Sequence, residues 1–132
     1  MTLEELKENF LILDDWEDRY RYLIELGKTL PALEDQYKTE ENRIQGCMSK
    51  VWMIHHFEDH RLQLKADSDT LIVKGLVFLI LTIYHNQQKQ DLDQIKIEEI
   101  FKEFELEKHL TANRRNGFFS MVEKIKGLSL QA

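Results

Sequence analysis

Val51-Trp52-Met53-Ile54-His55-His56-Phe57-Glu58-Asp59-His60-Arg61-Leu62-Gln63-Leu64-Lys65-Ala66-Asp67 is the stretch whose reading decides the fold. Residues 51–57 are rich in β-branched and aromatic side chains, as strands are. Residues 61–67 alternate, with Leu62, Leu64 and Ala66 on one face and Arg61, Gln63, Lys65 and Asp67 on the other. Glu58-Asp59-His60 lies between them as a hairpin turn. A period of two with one apolar face predicts a small antiparallel sheet that is covered on one side.

Outward from this hairpin the period becomes helical. Asp67-Ser68-Asp69 has the composition of a helix start, where backbone N–H groups need acceptors, and the apolar segment 70–84 follows it. Residues 86–91 read as a polar loop. Ile97, Ile100, Phe101 and Phe104 mark another helix, and Phe118, Met121, Val122, Ile125 and Leu128 mark a last one. Upstream, Leu3, Leu6, Phe10 and Leu13 share a helix face. A second helix starts near Asp14 or Asp15, carries Tyr20, Leu23, Ile24 and Gly27, and is ended by Pro31 and its neighbours. Residues 39–46 are polar and lead into Cys47. Helices, a small antiparallel sheet and then helices make an α+β domain, expected as one unit over residues 1–132.

Composition bounds the function. The chain is 42% hydrophobic, with seven Phe, four Tyr and two Trp, which supports an ordinary core. Its net charge of −6 works against binding a phosphate backbone, so nucleic acid is not expected as a partner. One cysteine precludes an intrachain disulfide and any Cys-built zinc or cluster site. The start, MTLEELKENF, has no apolar signal region. The apolar run 71–84, about 14 residues interrupted by Lys74, is short of the roughly 20 needed to cross a bilayer. A cytoplasmic protein with a reduced thiol and no membrane association is the expectation.

Three segments carry candidate chemistry. Cys47 sits in Asn42-Arg43-Ile44-Gln45-Gly46-Cys47-Met48-Ser49-Lys50-Val51-Trp52, at a loop-to-strand junction where a side chain can be both positioned and presented. Gly46 permits unusual backbone angles and leaves room for an approaching partner. The simpler reading, a cysteine packed as a small hydrophobe, is weakened by the loop setting but not overturned. Asp67-Ser68-Asp69 reads first as a helix cap. In His109-Leu110-Thr111-Ala112-Asn113-Arg114-Arg115-Asn116-Gly117, Thr111 or Asn113 can cap the last helix. Two arginines then occupy its first turn against the helix dipole, at a few tenths of a kcal/mol each. That points to a binding role, for an anion, a thiolate or a partner carboxylate, or else to a surface salt bridge. The histidines at 55, 56, 60, 85 and 109 are scattered, and His55 and His56 project to opposite strand faces, so no metal site is expected. Neither a glycine-rich phosphate loop nor a GxSxG elbow is present.

Taken in order along the chain, NRIQGCMSKVW (42–52), ADSDTLIVKGL (66–76) and HLTANRRNGF (109–118) resemble the SufE family, including its relative CsdE, whose members accept sulfur from cysteine desulfurases. Asp15-Trp16-Glu17-Asp18-Arg19-Tyr20 and Leu23-Ile24-Glu25-Leu26-Gly27-Lys28-Thr29-Leu30-Pro31 resemble its N-terminal helical region. The resemblance implies that Cys47 is the sulfur-accepting cysteine of a Gly-Cys-x-Ser-x-Val-Trp pattern. It matches Asp69 to the second acidic residue of an Asp-Ser-Asp segment and Arg114 to the arginine of a Leu-Thr-Pro-Ser-Arg segment. Here Ala112 and Asn113 replace Pro-Ser, Arg115 adds a cation, and Met48 stands where many members carry Gln. The implied fold is a small curved antiparallel sheet with helices mainly on one face, similar to the IscU-type scaffolds of cluster assembly.

The implied function is that of a sulfur acceptor and activator. A pyridoxal-phosphate-dependent desulfurase of the SufS or CsdA type would load Cys47 as a persulfide, which then passes to a downstream iron–sulfur scaffold. The pyridoxal phosphate belongs to the partner, so no cofactor or metal is expected on this chain. "Enzyme" therefore fits it only loosely. Gly46, Asp69 and Arg114 would support the site, with Arg114 lending its field to the thiol or pairing with the partner. A monomer or weak dimer is implied. The rival readings are a Cys–His hydrolase or transferase using Cys47 with His55, His56 or His109, a cluster scaffold, and a structural adaptor in which Cys47 only packs.

Overall fold

Asp59 and His60 both adopt positive φ, 52° and 66°, the signature of a two-residue turn whose twist matches the strands it joins. That turn closes β1 (Val51–Glu58) onto β2 (Arg61–Ser68) in an antiparallel hairpin running from Val51↔Ser68 to Glu58↔Arg61. The computed structural model describes residues 1–130; the last two residues of the expected 1–132 domain lie outside the described residues. Around this two-stranded sheet stand α1 (Leu3–Leu11), α2 (Trp16–Lys28), α3 (Leu71–Tyr84), α4 (Ile97–Glu103) and α5 (Ala112–Leu128). The class is α+β, as the periodicities predict.

The register places Val51, Met53, Leu62, Leu64 and Ala66 on the face that meets the helices, and all five are buried. Helix α3 packs on β2 with one side and on α2 with the other. Such close approach needs glycine on both helices. A Cβ on Gly27 would lie 2.7 Å from the Gly75 amide nitrogen, and one on Gly75 would strike the Leu23 carbonyl. Phe10, Tyr84, Phe104 and Phe118 are fully buried in the single large core cluster of the described residues.

Local signals account for the helix starts. Asp15 caps α2, its carboxylate accepting from Asp18 N at 2.9 Å, which resolves the Asp14/Asp15 alternative. Thr111 rather than Asn113 caps α5, accepting from Arg114 N. Residues 86–91 are not simply a loop: a 3-10 helix, Lys89–Gln94, buries Leu92. A single apolar anchor has no period to read.

Asp67-Ser68-Asp69 is a correction. The N-cap of α3 is Thr70, which makes no side-chain capping bond, while Asp67 and Ser68 belong to β2. Strand alternation turns Asp67 to the sheet face opposite the helices. There the chain around residues 33–38 covers it to 4% exposure. Its carboxylate accepts from Ser68 N (2.8 Å) and Leu33 N (3.4 Å) and lies 3.6 Å from Lys38 Nζ and 3.7 Å from Lys74 Nζ. A buried carboxylate so surrounded is compensated, and it ties the approach to the Cys47 loop onto the sheet.

Candidate functional site

Cys47 lies in a short loop whose two ends are fixed. At one end Ile44 N donates to Val51 O at 2.8 Å, and Arg43 bridges to Trp52. At the other, Lys50 is clasped by Asp69. Asp69 Oδ1 accepts from Lys50 N (3.2 Å), Asp69 N donates to Lys50 O (3.2 Å), and Ser68 Oγ donates to the same carbonyl (2.8 Å). Thr70 Oγ1 donates to Ser49 Oγ at 3.0 Å beside it. Asp69, an exposed carboxylate, is thus an anchor for the end of the loop that carries Cys47.

Between these ends the loop lies on α5. Gly46 has φ +87°, and a Cβ there would meet Ser120 Oγ at 2.6 Å. The positive φ is what requires glycine here. The side of Gly46 where a Cβ would point therefore faces α5 of the same chain, while the residue itself is exposed. One turn earlier on that helix, the Cys47 thiol donates to Gly117 O at 3.5 Å, and a Cβ on Gly117 would touch Sγ at 3.4 Å. Of the side chains from Gln45 to Met48, Cys47 alone is hydrogen-bonded among the described residues.

Cys47 also borders a cleft of about 430 Å³. Val51, Val73, Leu76, Phe118 and Met121 give it apolar walls, while Ser49, Thr111, Asn113 and Arg114 supply polar groups. Half-burial pushes the Cys47 thiol above its ordinary pKa, and the opposing positive charge is that of Arg43. Arg43 is itself paired with Glu40 at 3.3 Å. Of the two arginines at the start of α5, Arg114 lines the cleft and Arg115 does not. Neither makes an ion pair among the described residues, so the salt-bridge reading of this pair is overturned.

No histidine lines the cleft. His85 Nδ1 accepts from Leu64 N at 3.1 Å, His109 stacks on Trp16 with centroids 4.4 Å apart, and His55 meets Phe57 edge-on. A Cys–His pair has no geometric support. Among the described residues no group of three or more His, Cys, Asp or Glu side chains is placed to hold a metal. Gly117, Ser120 and Arg43 were not identified from the sequence as parts of the thiol's seat. Gly117 falls in a segment dominated by its charges, and Ser120 carries no local signal at all.

The family described as "SufE: Fe-S metabolism associated domain" matches residues 4–129, which include every residue of the loop and cleft. The chain belongs to the SufE family. A SufE-like protein of Rhizobium meliloti (strain 1021) is 41% identical over 129 residues, covering 95% of this chain and 92% of the relative. One from Rhizobium etli is 40% identical over 129 residues, covering 95% and 87%. A solution structure of a hypothetical protein from Thermus thermophilus shares the fold with a TM-score of 0.76 at 17% identity, covering 98% of this chain and 96% of that one. SufE membership places this chain's role in Fe–S metabolism. None of its described helices is long and apolar enough to cross a membrane.

For a SufE-family loop held in this way, loss of the Asp69 clasp should be read directly by the thiol. Asp69→Ala removes the acceptor of Lys50 N without altering either residue of the Cys47–Gly117 contact, so the loop is held in its seat less firmly. Alkylation of Cys47 by iodoacetamide is expected to speed up severalfold, with secondary structure unchanged by circular dichroism. An unchanged rate would mean that the Ile44 end and α5 hold the loop without Asp69.

Proposed function

We propose that this chain accepts sulfane sulfur as a persulfide on Cys47 from a pyridoxal-phosphate-dependent cysteine desulfurase, stimulates that enzyme, and passes the sulfur on for iron–sulfur cluster assembly in the cytoplasm. The observation that carries the reading is the seating of the lone thiol. It sits on a loop fixed at both ends, is half-buried against a helix, and borders a cleft with apolar walls. Family membership supports the same reading.

The chemistry follows from that setting. The Cys47 thiolate attacks the terminal sulfur of the partner's cysteine persulfide. A new S–S bond forms, the old one breaks, and the partner cysteine leaves as a thiolate. The transferred atom stays at the sulfane level, so no oxidant is consumed. At rest, burial keeps the thiol protonated and weakly nucleophilic. Docking that draws the loop from α5 would expose the sulfur and lower its pKa towards the ordinary value. In this mechanism Arg114, at the cleft, meets the partner rather than the thiolate. A monomer or weak dimer leaves the loop accessible.

The test is the intact mass of the reduced protein after incubation with the pyridoxal-phosphate-loaded desulfurase of its own source and L-cysteine, recorded without reductant. A gain of one or more sulfur atoms, reversed by dithiothreitol, is expected. No gain from any of a panel of desulfurases shown to be active would sink the proposal.

A further inference from the structure

Met48 is 77% exposed and Leu71 is 52% exposed, both high values for large apolar side chains. Each stands one residue from the Thr70–Ser49 hydrogen bond that joins the Cys47 loop to the start of α3. Met48 also borders the cleft, and Val73 of Leu71's own helix lines it. Met48 therefore carries the cleft's apolar lining out to solvent beside the thiol, and Leu71 is exposed where α3 begins. An isolated exposed apolar residue needs no explanation, but one continuous with a reactive site does.

Two exposed cations adjoin this surface in sequence, Lys50 on the loop and Arg115 beside Arg114 on α5. Arg115 stands in the first turn of a helix that has no acidic residue there, so it opposes the dipole without local relief. The chain holds 24 acidic residues, yet among the described residues neither cation meets one. A charge that costs stability and has no counter-ion within the molecule is explained if its counter-ion lies on another molecule.

We infer that Met48 and Leu71 form the apolar centre, and Lys50 and Arg115 the cationic edge, of the surface by which this chain selects its desulfurase. The complementary partner surface carries an apolar recess edged by carboxylates. The inference rests on the proposed sulfur-acceptor function and adds the residues that choose the partner. A second copy of this chain fits poorly, because a two-fold contact through this face would set one basic edge against another.

Titration calorimetry with the intact, pyridoxal-phosphate-loaded desulfurase tests it, run beside thermal unfolding of the acceptor alone. Met48→Ala should raise Kd about tenfold with an unchanged Tm, as for a truncated interface anchor. Arg115→Glu should raise Kd about tenfold or more and also raise Tm, because the substitution favours the helix dipole while opposing the partner. Binding of Arg115→Glu should respond less to added salt than wild type does. A rise in Tm with weaker binding is a pairing that a purely structural role for Arg115 would not produce. Wild-type Kd in both variants would overturn the inference and leave the sulfur-acceptor reading standing. Self-association that the same variants abolish would also overturn it, by assigning the face to a second copy. If the wild-type protein binds no active desulfurase, the functional reading falls and this one with it.

Discussion

Cys47→Ser should fold as the wild-type protein does and gain no sulfur from a working desulfurase. Serine is close in size to cysteine, and its hydroxyl can donate to Gly117 O where the thiol does now. The thiol's own hydrogen bond is a weak one, made by sulfur at a half-buried site. A stability change below about 1 kcal/mol is therefore expected, within the ordinary range for a mild substitution. The chemical effect is total, because a serine hydroxyl is not ionised near neutral pH and does not displace a thiolate from a persulfide. Cys47 is the only cysteine of the chain, so no second thiol can take over. Intact mass after loading reads the result. A sulfur adduct on the variant that dithiothreitol removes would show that the sulfur is held elsewhere, and an unfolded variant would show that the residue mainly packs.

Gly75→Ala is the substitution expected to damage the fold most. The added Cβ would strike the backbone carbonyl of Leu23, and a backbone cannot rotate out of the way as a side-chain tip can. Relief would require α2 and α3 to separate along an interface that also has Gly27 fitted against Gly75 N and Lys74. A destabilisation on the order of 3 kcal/mol follows for forced overpacking of this kind, lowering the thermal midpoint by about 10 °C or more in a chain of this size. Gly127→Ala is the matched control. It also lies within a helix, but nothing stands within 4 Å of its added Cβ. Relief of the glycine penalty should then leave it neutral or up to about 1 kcal/mol more stable. Circular-dichroism melts of the two variants decide the matter, and similar midpoints would show that the helices can part cheaply.

Much of this architecture could be read from period and composition. Residues 61–67 alternate without a break, and a one-residue slip would have exposed Leu62, Leu64 and Ala66, so the hairpin had one consistent register. Asp15 before Trp16 and Thr111 before Ala112 act as caps through bonds that span three residues, which is within reach of local reasoning. Asp67 misled because the cap rule weighs a carboxylate only against the residues immediately downstream of it. Its partners Leu33 and Lys38 come from a segment about 30 residues upstream, brought across the sheet by the fold. The thiol's seat was beyond local reasoning for the same cause: Cys47 and Gly117 are 70 positions apart. Arg43, whose charge favours the thiolate, lies four residues from the cysteine and breaks no local rule that would draw attention to it.

A thiolate has no proton to give to Gly117 O. The hydrogen bond to Gly117 O needs the protonated sulfur, and the half-burial that comes with the seat raises the thiol pKa, so seating and ionisation oppose one another. The seated loop keeps its full advantage below the ordinary thiol pKa near 9.0 and loses it as pH climbs through the raised value. The alkylation rate of Cys47 should accordingly keep rising above that pH in wild type, and Asp69→Ala should move the profile back towards an ordinary thiol. A profile identical to that of free cysteine would show that the seat and the proton are uncoupled. If they are coupled, the chain carries an interlock: sulfur chemistry is disabled whenever the loop is home, and a partner enables it by displacing a few residues without building any new catalytic group.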